Sequence, residues 1–141
     1  MIEVGAELKH MALMLRTQDN RITSSPIFVV QKKVLDYGYS SDFSDKYHWM
    51  HQDEGDLASM EKTKWLDSLD ESGEVPSQWV KTYYVERWEY VMPFFTEEAA
   101  DAYIHNNRHH FSEARVFVES GYRNYEWERV RELLMSCTEE A

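Results

Sequence analysis

Charge is spread so unevenly along this chain that it limits what the chain can fold into. Residues 36–74 carry eleven acidic side chains against three lysines, a net of −8 within a total of −11. Carboxylates are costly to bury without partners, so most of this stretch is expected on a solvated face. The remainder is nearly balanced and rich in aromatic residues.

A chain of 141 residues fits one globular domain, 1–141, with an acidic, loosely patterned middle segment, 36–78. Apolar residues make up 43% and aromatics 14%, which excludes disorder throughout. Cys137 is the only cysteine, so neither an intrachain disulfide nor a thiolate metal cluster is available. That fits a reducing cytoplasm. No secretory leader is expected, and no window approaches the run of about 20 apolar residues that a membrane span needs. The net charge repels phosphate backbones and anionic lipid, which disfavours membrane association and direct nucleic-acid binding.

The order of elements reads α-β-α-β-α-β-α. Val4, Leu8, Met11, Ala12 and Leu15 recur at helical steps over residues 3–16. Pro26 opens a strand through Ile27, Phe28, Val29 and Val30, followed by turn-like sequence at 36–44. Residues 57–69 read as a helix, and 79–95 as a strand with bulk on both faces. Thr96 is expected to cap a helix whose first turn holds Glu97 and Glu98. Residues 115–118 read as a third strand, and Asn124 as the cap of a last helix through Met135. The fold class is therefore α+β, a small three-stranded sheet with about four helices packed on it. No glycine-rich phosphate loop is present.

Histidines form two groups, His48 with His51, and His105 with His109 and His110. Neither makes the H-E-x-x-H zinc pattern, and solvated or locally bonded histidines fit better, so no metal and no cofactor is expected. Asn107, Arg108 and His109, joined by Arg115 and Tyr122, supply the densest polar chemistry. They could hold a small ligand or serve an enzyme. The same groups could satisfy backbone at a helix end, and that structural reading is favoured. Arg beside Tyr can also stack on a base, so a nucleic-acid module is a further alternative. No catalytic residue is assigned, since neither a nucleophile elbow nor a Cys/His pattern appears.

The acidic stretch has two readings: a solubilising surface, or a face for a partner with a basic surface, spaced somewhat like the charges of nucleic acid. The second reading assigns partner-binding roles to Asp53, Glu54, Asp56, Asp67, Asp70 and Glu71. Tyr47 and Trp49 are its aromatic anchors, with Tyr37 and Tyr39 as further candidates.

Several stretches also carry a resemblance. They are Thr17-Gln18-Asp19-Asn20-Arg21 leading to Pro26-Ile27-Phe28-Val29-Val30-Gln31, then Trp88-Glu89-Tyr90-Val91 with Phe94-Phe95-Thr96-Glu97. Tyr103-Ile104-His105-Asn106-Asn107-Arg108-His109 and Arg115-Val116-Phe117-Val118-Glu119-Ser120 follow, and Tyr122-Arg123-Asn124-Tyr125-Glu126-Trp127 completes the set. In order and spacing the chain resembles a widespread set of small uncharacterised proteins of phages and prophages. The resemblance brings no catalytic residues. It implies action in the bacterial host cytoplasm, and it favours a protein that binds and inhibits a host protein, such as a nucleic-acid-handling defence factor. Self-association through an uncovered edge strand or the first helix is also open.

Overall fold

The computed structural model describes residues 5–137. The elements are α1 (Ala6–Thr17), β1 (Pro26–Tyr39), β2 (Tyr47–His51), α2 (Met60–Ser72), β3 (Trp79–Phe94), α3 (Glu97–Asn107), a short 3-10 turn (Arg108–His110), β4 (Ala114–Ser120) and α4 (Tyr125–Met135). The strands form one sheet in the order β2-β3-β1-β4, with β1 antiparallel to β4 and β2 antiparallel to β3. The α+β class and the four helices match the sequence reading. The sheet has four strands, not three. The added strand is β2, whose sequence Tyr-His-Trp-Met-His shows no polar/apolar alternation and lies among acidic residues. β1 also runs on through Tyr39, where turn-like sequence was expected. Of the first helix's expected positions, residues 3 and 4 lie outside the described residues.

Local chemistry starts and stops the helices. The Thr96 hydroxyl accepts a hydrogen bond from the Ala99 amide at 3.2 Å, and Asn124 Oδ1 accepts one from Trp127 N at 3.1 Å. The Ser59 hydroxyl accepts from Lys62 N at 3.2 Å. Gly73 ends α2 at φ 74°, a left-handed geometry that glycine adopts without steric cost.

The chain divides into two compact units, Met1–Lys33 with Trp88–Ala141, and Val34–Arg87. β1 and β3 contribute to both. In the first unit, Phe28, Val30 and Ala100 are wholly buried, packed by Val91, Phe94, Tyr103, Ile104, Val116 and Val118. Phe28 and Val30 lie on one face of β1 and pair in register with Val118 and Val116 of β4. α3 covers that face through Ala100, Tyr103 and Ile104. α1 packs on α4, with Ala12 and Leu15 buried. The segment before β1 clamps the start of α3. Gln18 Nε2 donates to Phe95 O and Gln18 Oε1 accepts from Glu97 N, both at 3.1 Å, while Arg21 pairs with Glu97.

The second unit has less apolar interior. Among its described residues only Trp49 and Leu66 are fully buried apolar side chains. β2 meets β3 in the register Tyr47↔Tyr83 and Trp49↔Lys81, and α2 packs on β2.

Candidate protein-binding face

The acidic residues separate into two sets when their contacts are followed. Asp67, on α2, is half-buried, and one of its oxygens, Oδ1, accepts both the Tyr47 hydroxyl and the Trp49 indole N–H at 2.8 Å. Trp49 needs such an acceptor because it is buried, and an unpaired buried donor costs about 1–3 kcal/mol. Asp70 receives the Lys81 ammonium at 3.3 Å, and that ammonium also lies 4.1 Å from the Tyr47 ring centroid. The Lys81 pKa is raised: burial opposes this, but the Asp70 hydrogen bond and the charges of the Tyr83 and Tyr47 phenols and of Asp70 outweigh it. The Tyr47 phenol is also raised, first by its bond to Asp67 and then by burial. Asp67, Tyr47 and Trp49 therefore form a partly buried network within the second unit, and the exposed Asp70 is tied to it through Lys81.

Asp53, Glu54, Asp56 and Glu71 are exposed. The turn holding the first three is folded back against β2. His51 N donates to Asp56 O at 2.9 Å, Gly55 N donates to His51 O at 2.8 Å, and Gly55 sits at φ 71°. Leu57 bridges Met50, and Ala58 N donates to Trp49 O at 2.9 Å, so the chain enters α2 directly beside the acidic turn. These carboxylates are thus on a backbone fixed by hydrogen bonds.

The exposed apolar surface next to them is different from the one expected. Met60 is 80% exposed, and Leu57 and Trp65 are exposed as well. Ser59, Glu61, Lys62 and Trp65 line a shallow groove of about 400 Å³. The Lys62 ammonium lies 4.4 Å from the Trp65 ring centroid and 5.5 Å from that of Trp79, which holds one wall in place. The helix expected over residues 57–69 begins at Met60 and buries only Leu66, which leaves Leu57 before it and Met60 and Trp65 on its exposed side. Of the other aromatic candidates, Tyr39 is exposed, whereas Tyr37 is half-buried and its hydroxyl bonds His48 Nδ1 at 2.8 Å.

The polar alternative site is dispersed. Asn107 Nδ2 donates to Tyr103 O at 2.9 Å, a helix-end role. Arg108 and His109 are exposed in the 3-10 turn, where the His109 and His110 rings lie 3.9 Å apart. Arg115 stands at the start of β4, and Tyr122 lies beyond its far end. The five strand steps from Arg115 to Ser120 alone span about 17 Å. Among the described residues, no group of three or more His, Cys, Asp or Glu is placed to hold a metal ion, and no helix is long and apolar enough to cross a membrane.

No protein-family model, curated protein or solved structure matches this chain.

Proposed function

We propose that the second unit is a docking surface for a protein with a basic face, and that the protein acts by binding and inhibiting that partner. The carrying observation is the exposed Leu57, Met60 and Trp65 set beside Asp53, Glu54 and Asp56 on a turn with a hydrogen-bonded backbone, with Glu61 in the first turn of α2. An apolar centre excludes water and supplies affinity, while a charged rim steers encounter and rejects acidic surfaces. The anchors of this reading are Met60 and Trp65 rather than Tyr47 and Trp49. The resemblance to phage and prophage proteins supports a partner in the bacterial host cytoplasm, with a nucleic-acid-handling defence factor as the type of target whose basic surface fits.

The test is affinity capture from bacterial lysate at low and high salt, comparing the native protein with two variants. Met60→Ser/Trp65→Ala is expected to abolish capture of the partner. Asp53→Asn/Glu54→Gln/Asp56→Asn is expected to weaken capture mainly at low salt and to flatten its salt dependence. Equal recovery of the same basic protein by all three would overturn the proposal.

A further inference from the structure

The first unit carries a second exposed surface that the acidic-face reading does not use. Strand alternation puts Val29, itself buried, with Gln31 and Lys33 of β1 on the side away from Phe28 and Val30. Arg115 and Phe117 share that side of β4, because Gln31 pairs with Arg115 and Val29 with Phe117 in register. Trp88 joins them: the Arg115 guanidinium lies 4.1 Å from the Trp88 ring centroid and 5.3 Å from that of Phe117, and the Lys33 ammonium lies 5.5 Å from Trp88. Tyr90 and Met92 follow Trp88 on the same face of β3. Tyr90 is 57% exposed and Phe117 42%, although both stand on strands of a sheet.

We propose that this face binds a short stretch of single-stranded nucleic acid, with bases stacked on Tyr90 and Phe117 and a phosphate held by the Arg115 Nη groups. The chemistry of Arg115 selects the ligand. Its Nε donates to Gln31 Oε1 at 2.9 Å, which fixes the plane of the guanidinium against Trp88. Among the described residues no carboxylate forms an ion pair with it. A fixed, stacked guanidinium with free forked donors matches phosphate. Exposed rings on β3 and β4, on either side of β1, match unstacked bases, whose faces a duplex hides. Lys33 is balanced by Glu113 at 2.5 Å, and Glu119 lies at the far end of β4, so the Trp88 end carries the local positive charge. The net charge of −11 opposes a long phosphate track. The footprint is therefore a few nucleotides, gripped by stacking more than by charge. The negative field of the whole chain limits the length of the ligand rather than its class.

The experiment is fluorescence anisotropy of labelled short oligothymidylate and oligouridylate with the full chain, beside a duplex of equal length and a polyglutamate competitor. Single strands are expected to bind with a Kd below about 100 µM, and log K is expected to fall with log salt at a slope of about −0.7, one phosphate's worth. Tyr90→Ala and Phe117→Ala should each weaken binding about tenfold. Arg115→Gln should weaken it and remove the salt slope, and Arg115→Lys should keep the slope while losing affinity. These are exposed positions, so thermal melts of the variants are expected to match the native chain, and Asp53→Asn/Glu54→Gln/Asp56→Asn should leave affinity intact or slightly improved. Absence of binding at about 100 µM overturns the proposal. So does equal binding of duplex, displacement by polyglutamate as expected of a site for acidic protein, or unchanged affinity in all of the Tyr90, Phe117 and Arg115 variants.

Discussion

The two units solve the same problem with different materials. The first buries Ala12, Leu15, Phe28, Val29, Val30 and Ala100, and holds a net charge of −4 over its sequence. The second, Val34–Arg87, holds twelve acidic and five basic side chains, a net of −7, around Trp49 and Leu66. A unit this small gains little from apolar burial alone. It recruits polar atoms instead: Asp67 ties α2 to Tyr47 and Trp49, and Lys81, set against the Tyr47 ring, pairs with the exposed Asp70. Salt bridges extend the same pattern along its strands, Arg87 to Asp36 at 2.7 Å and Lys46 to Glu86 at 3.3 Å. These surface pairs are worth about 0–1 kcal/mol each, so the half-buried Asp67 node is the stronger element. The contrast teaches that acidity is divided by depth within one segment. Some carboxylates are acceptors or ion-pair partners within the unit, and Asp53, Glu54, Asp56 and Glu71 stand exposed.

The comparison is most sharply tested through the two interiors. Phe28→Ala should cost about 3–5 kcal/mol and Leu66→Ala about 2–5 kcal/mol, read by chemical denaturation. If the units unfold separately, each substitution should shift a different transition; a single shared transition would show that the long strands couple them. Next comes the polar node. Asp67→Ala should destabilise the second unit by about 1–3 kcal/mol for each donor left unpaired, whereas Asp67→Asn, which keeps an acceptor, should cost less. Tryptophan fluorescence with a denaturation curve separates the two variants. In the first unit, a Cβ at Gly121 would stand 2.9 Å from Trp127 Cδ1 and 3.0 Å from Ser25 O, so Gly121→Ala should cost about 1–3 kcal/mol in a thermal melt.

A smaller effect is expected at high pH from two phenols of the second unit. Tyr37 is raised by burial and then by Tyr84, and Tyr47 by its bond to Asp67 and then by burial. Both phenols hold their protons more tightly in the folded state. Their contribution to stability is complete below the unfolded tyrosine pKa of about 10 and is lost as pH rises through the folded values. Stability measured against pH should therefore fall in that alkaline range, and less steeply in Tyr47→Phe. The smallest change belongs to the exposed acids. Asp53→Asn/Glu54→Gln/Asp56→Asn should leave stability within about 0.5 kcal/mol, even as it alters partner capture. A larger loss would mean that the acidic turn is structural.

Much of the fold was legible because it is written within a few residues. Thr96 and Asn124 mark helix starts by reaching amides three positions on, and the helical and strand patterns around them need no distant partner. β2 was hidden because it is only five residues long and lies among acidic residues, and only pairing with β3 and the bonds from Tyr47 and Trp49 to Asp67 give it a place. The candidate site was half legible for a similar reason. Glu54 and Asp67 read alike in a list of acids, yet one is exposed in a turn and the other receives two remote donors. Arg115 likewise stood in sequence next to acids that could have neutralised it, and the sheet placed it against Trp88 and Gln31 instead.

By itself, then, the sequence determined the helices, three of the four strands and the place where negative charge accumulates, since these depend on short-range sterics, capping and composition. Tertiary structure alone decided which aromatics are interior and which are presented, and which charges are already paired. Burial and pairing are set by atoms that arrive from far along the chain, and no local pattern encodes their arrival.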